Sequence, residues 1–131
     1  MSTSGVKRRA IARAVVGVVL VIALAYGVRV AWLFTAATEG DVPTSSAVPL
    51  PTGATFVSEE KACASGGCWM VLRVEPPEGQ SADELAAALG ATPQLQIAGN
   101  FLDPRTINVQ AEPDGPVLEL RIDYWSQKWV R

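Results

Sequence analysis

An unbroken apolar run, AVVGVVLVIALAYGV, occupies residues 14–28, and past Arg29 it continues from Val30 to Phe34. A helix over residues 14–34 is ~31 Å long at ~1.5 Å per residue, the thickness of a bilayer's hydrocarbon core. No soluble domain of about 100 residues needs so long a stretch of Val, Leu, Ile and Ala, so the pattern predicts a transmembrane helix. Arg29, the one charge inside it, lies close enough to the far end to snorkel to the headgroups. Ala23, Gly27 and Ala31 recur at four-residue spacing. Such a small-residue face lets two helices approach closely, which makes a homodimer through these positions one expectation.

The pattern then breaks. Residues 35–53 are rich in Pro, Gly, Ser and Thr, as in DVPTSSAVPLPTG, and read as a partly extended spacer reaching up to ~45 Å. Beyond it, residues 54–131 give short strand signals around one helix. Ala54–Lys61 and Cys68–Val74 read as a hairpin across an ASGG turn, with Met70, Leu72 and Val74 on an apolar face and Trp69, Val71 and Arg73 on the opposite one. Pro76-Pro77 ends the second strand. Ser81-x-x-Glu84 is a capping box, Leu85, Ala88 and Leu89 make a short apolar stripe, and Gly90 is the stop. Gln94–Ala98 reads as a brief strand, and Arg105–Ala111 as another. Pro113-Asp114-Gly115 marks a turn into Val117–Trp125, where Leu118, Leu120, Ile122 and Tyr124 alternate with Glu119, Arg121 and Asp123. Hairpin, helix, hairpin predicts an α+β domain: an antiparallel sheet with one helix on one face.

Charge orients this layout. Residues 1–34 carry five Lys/Arg and no acid, and Lys7, Arg8, Arg9 and Arg13 all precede the span. The positive-inside rule then keeps residues 1–13 in the cytoplasm and sends the domain outside, a single-pass anchor in the cell membrane. Tyr26, Trp32 and Phe34 gather at the outer end like an aromatic belt. Cleavage as a signal peptide after Ala37 is the competing reading, since Thr35-Ala36-Ala37 supplies small residues. The length of the apolar stretch and the bulk of Trp32 and Phe34 argue against it. Residues 35–131 hold six basic against thirteen acidic side chains, a balance of −7. So acidic a domain is a poor partner for nucleic acid.

The chemistry is sparse. The chain has 131 residues, two Cys and no His. It therefore lacks the commonest general base and metal ligand, and two Cys alone close no structural zinc site. Neither a P-loop, a G-x-G-x-x-G nor a G-x-S-x-G is present. No metal, cofactor or catalytic set is expected. Cys63 and Cys68 enclose ASGG across the first hairpin and, in an extracytoplasmic domain, should pair as a structural disulfide. Trp69, Arg73, Trp125 and Trp129 fall on the outward phase of their strands and form the candidate binding face.

The turn ACASGGCW, with the lead-in PLPTGATFVSEE and the helix SADELAAALG, resembles a group of small single-pass membrane proteins of the actinobacterial type. The resemblance covers residues 49–125 and implies the same anchored layout; it brings no activity and no catalytic residues. Together these readings predict a membrane-anchored, extracytoplasmic interaction module that is not an enzyme and whose partners are the bilayer and another envelope protein. A module binding a cell-wall sugar or peptide through the same aromatic residues is the alternative, and an enzyme with an unrecognised site is the third.

Overall fold

Helix-forming residues continue the apolar run backward through the basic tail, and in the computed structural model the first helix, α1, spans Thr3–Thr38. The structure describes residues 3–38, 40–65, 67–92 and 94–124, which divide into two units between Leu33 and Phe34. α1 is one helix long and apolar enough to cross a membrane, with a mean hydropathy of 2.4 over its most apolar window and none of that window buried in protein. Its apolar side chains point in every direction. A helix apolar on all sides has the composition of a membrane span.

The second unit is built on a five-stranded antiparallel sheet ordered β1-β2-β5-β4-β3. Its elements are β1 (Thr55–Ala64), β2 (Gly67–Glu75), the helix α2 (Ala82–Leu89), β3 (Gln94–Ile97), β4 (Ile107–Asp114) and β5 (Val117–Tyr124). Both expected hairpins form, and the brief strand β3 is added to the outer edge of β4 through Leu95↔Val109 and Ile97↔Ile107. The two halves join where β2 pairs β5, setting Met70 opposite Ile122, Leu72 opposite Leu120 and Val74 opposite Leu118. This places three apolar cross-strand pairs at the centre of one face. The chain is thus α+β, as expected.

Two turns are tighter than the sequence suggested. Pairing in the first hairpin runs to Ala64↔Gly67, leaving two residues for the loop, and β4 pairs β5 through Asp114↔Val117. Pro113 therefore lies in a strand rather than a turn. Pro is tolerated there because β3 ends opposite Gln110, and from that point the outer edge of β4 has no ladder to satisfy.

The core lies on one face, which we call inner. Leu72, Val74, Val109, Leu118, Leu120 and Ile122 contribute the sheet side, and Ala82, Leu85, Ala86 and Leu89 of α2 close over them. α2 starts as its sequence requires. The Ser81 hydroxyl accepts from the Glu84 N–H at 3.1 Å while the Glu84 carboxylate accepts from the Ser81 N–H at 2.8 Å. Gly90 ends it at φ 74°, a left-handed conformation that a side chain would oppose.

Residues 40–50 do not form the extended spacer expected for 35–53. They are packed on the domain, with Pro43 and Val48 buried and Leu50 against the core. The sequence misleads because its Pro and Ser suit a strap laid over a sheet as well as a solvated tether. The apolar residues among them, Pro43, Val48 and Leu50, are what the inner face still needs once α2 has covered its part. Gly40 sits against the disulfide: a Cβ there would lie 3.1 Å from the Cys68 sulfur. A single 3-10 turn, Ser45–Ala47, bends the strap.

Candidate functional site

Because α2 and the strap cover the inner face, the opposite, outer face of the sheet is where the alternate side chains stand. Across its middle Val71 is opposite Arg121 and Arg121 opposite Gln110, and a step further along Asn108 faces Asp123. Trp69 and Arg121 meet here, the guanidinium carbon 3.8 Å from the centre of the indole. Stacking of this kind is favourable by about 0.5–2 kcal/mol depending on solvent exposure. The pair forms one wall of a shallow concavity of about 440 Å³, which Val71, Gln94, Gln110, Glu112 and Glu119 help to line. The lining is mostly amide and carboxylate, with one indole and one guanidinium.

Arg73, two positions along β2 from Val71, belongs to the same face but not to the concavity. Its guanidinium lies 3.4 Å from the Glu119 carboxylate and 3.6 Å from that of Asp114. All three side chains are substantially exposed, so this small network orients the face more than it stabilises it. Asp123 is half-buried. Desolvation pushes its carboxyl above the ordinary range, opposed in part by Arg121 and by a hydrogen bond from Asn108. The other amide atom of Asn108, Oδ1, is buried and has no hydrogen-bond partner among the described residues. Trp125 and Trp129, also expected on this face, lie outside the described residues.

A second polar cluster escaped the sequence reading. Arg105, between β3 and β4, is only 5% exposed. Its Nε and one terminal nitrogen donate to the two oxygens of Asp103 at 2.8 and 2.7 Å, and the other terminal nitrogen donates to Asp41 at 2.7 Å. The Tyr124 ring covers the guanidinium at 3.7 Å. Hydrogen bonding to Asp103 is the largest influence on Arg105 and holds it firmly protonated despite burial. Burial raises the Tyr124 phenol, with Arg105 opposing. Asp41 belongs to the strap, so Arg105 clamps the strap to the sheet. Only the short spacing in Asp103-Pro-Arg105 could have signalled this, and its long-range partner is invisible in sequence.

Cys63 and Cys68 stand directly opposite each other and are joined, S–S 2.07 Å. They close the free end of the first hairpin on the inner side, beside Gly40. No group of three or more His, Cys, Asp and Glu among the described residues is arranged to hold a metal ion. Ala23, Gly27 and Ala31 lie on the exposed surface of α1. No protein-family model matches the chain, and comparisons with curated proteins and with solved structures find no match.

Proposed function

We propose that the chain is a single-pass membrane protein, with its N-terminus in the cytoplasm, whose extracytoplasmic domain is a non-catalytic module that binds another envelope protein through the outer face of its sheet. The long apolar helix and the basic residues before it support the anchor and its direction. The disulfide suits an oxidising compartment. The observation that carries the binding role is the Trp69–Arg121 pair, half-buried in a concavity on the face that neither α2 nor the strap covers. Trp and Arg are the residue types that most often dominate protein–protein interfaces, because each offers a large rigid surface with a polar handle.

A module for cell-wall sugar is the second reading, favoured by the amides and carboxylates of Gln94, Gln110, Glu112 and Glu119 around the indole. It ranks lower because a sugar ring stacks on an open indole face, and Arg121 already occupies one. A photoactivatable residue at Gln110 of the membrane-bound chain, compared with one at Ala88 on the exposed side of α2, separates these cases. A discrete protein adduct from position 110 alone supports the proposal. Adducts only with polysaccharide move the assignment to the sugar reading, and equal adducts from both positions dissolve the site. Protease added to sealed, right-side-out vesicles should remove the domain; digestion only after the membrane is opened would reverse the topology.

A further inference from the structure

The two edges of the sheet are β3, four residues long, and β1, ten residues long with nine of them exposed. Natural sheets keep edge strands short or covered, because an open edge is a row of unused backbone donors and acceptors. Here the longest of the described strands stands at an edge, and nothing among the described residues pairs with its free side. The hydrogen-bonding phase of that side follows from the hairpin. Cys63 and Cys68 are directly opposed with their Cα atoms 4.1 Å apart, the close spacing of a pair that exchanges no ladder hydrogen bonds. Cys63 therefore turns its N–H and C=O away from β2, and so, two and four positions back, do Lys61 and Glu59. The pairing with β2 is irregular between Phe56 and Ser58, so the regular part of the edge runs from Ser58 to Ala64.

The side chains on this stretch select the occupant. Glu59 and Lys61 are opposite Leu72 and Met70 on the inner face, while Glu60 is opposite Val71 on the outer face. All three are exposed, and none has an ion-pair partner among the described residues. An antiparallel copy of the strand, related by a twofold axis at Glu60, sets Glu59 opposite Lys61 of the copy and Lys61 opposite its Glu59. Both positions have backbone groups facing outward, so the two pairs exchange hydrogen bonds and make two cross-strand Glu–Lys contacts. Moving the axis to Glu59 or Lys61 loses both contacts and sets that residue against its own copy. An unrelated strand leaves the two charges uncompensated. We infer that β1 is a self-association edge, through which two copies of the chain join antiparallel in the register centred on Glu60, making one sheet out of two. The axis opposes Glu60 to Glu60, which weakens the pairing and marks the register, because relieving that contact should tighten it. The interface uses no residue of α1 and none lining the outer-face concavity.

Thiol cross-linking of the full chain in detergent tests it. Opposed residues without ladder hydrogen bonds have Cα atoms about 4.5 Å apart, within reach of a disulfide. Glu60→Cys should therefore couple two chains when oxidised by copper phenanthroline; the native cysteines are already paired. Ser58→Cys should not couple to itself, since its copy lies about 13 Å away along the strand, but should couple to Ala62→Cys when the two chains are mixed. Ala88→Cys, on the exposed side of α2, sets the rate of random collision. Adding Glu59→Lys to Glu60→Cys should slow coupling by roughly tenfold or more, as two attractive pairs become repulsive, and adding Lys61→Glu as well should restore it. Without any new thiol, Glu60→Gln should raise the dimer fraction in sedimentation, and a lower fraction would overturn the register. If Glu60→Cys couples no faster than Ala88→Cys, any dimer forms through another surface and the inference fails. It fails equally if Ser58→Cys couples to itself as fast as Glu60→Cys does.

Discussion

Arg105 and Asp123 are two ionisable groups in one small sheet, and their surroundings act on them in opposite directions. Arg105 is buried with two carboxylates and an aromatic face, and each of these three favours its charge. Replacing it by Met keeps the packing but leaves Asp103 and Asp41 without their cation. Breaking a buried pair in this way costs about 3–5 kcal/mol, and since both carboxylates reach solvent a loss of about 2–3 kcal/mol is expected at neutral pH. In melts of the detergent-solubilised chain this is a drop of roughly 8–24 °C. A shift under a few degrees would show that the clamp contributes nothing net. Asp123 is the reverse case, because burial raises its carboxyl more than Arg121 and Asn108 lower it. A raised carboxyl binds its proton more tightly folded than unfolded, so its contribution is most favourable in acid and declines as pH rises through the folded value. Asp123→Asn should therefore be more stable than the natural chain at pH 7, and the advantage should shrink as both are titrated below the carboxylate range. An advantage that grows in acid would contradict the assignment.

At the scale of elements, local rules explain what was legible. The capping box, the Gly90 stop and the alternation of β5 each depend on residues within one turn or one strand, and each formed where the sequence placed it. Ser81→Ala should cost about 1 kcal/mol, read as a lower melting temperature with α2 fraying first in hydrogen exchange. Converting both Cys63 and Cys68 to Ser should cost about 2 kcal/mol, the small figure that a ring of this size implies. A larger loss would mean that the contact with Gly40 matters as well as the cross-link. What was not legible depended on distant partners. Trp69 and Arg73 share a face by simple alternation along β2, but Arg121, which stacks on the Trp69 indole, arrives from a strand about fifty positions later. The strap was misread for the same reason. Pro43 and Val48 acquire a core only because β2 and β5 have built one, and nothing within residues 40–50 announces it.

At the scale of the molecule, that strap decides where the domain begins. A fragment starting at Thr52 lacks Pro43 and Val48 and leaves Arg105 without Asp41, whereas one starting at Gly40 keeps all three. The longer fragment should melt cooperatively and the shorter one several degrees lower or without a sharp transition; equal melts would return residues 40–51 to the role of a tether. Strand order has a further consequence, one of timing. β5 follows the other described strands in the chain yet occupies the middle of the sheet, between β2 and β4. Before β5 is in place, the β1–β2 hairpin and the β3–β4 pair have no backbone ladder between them. Until β5 docks, Leu72 and Val74 have no strand beside them on that side. The two half-sheets therefore stay open along their apolar faces until β5 is in register, which makes β5 docking the step on which closure of the core waits.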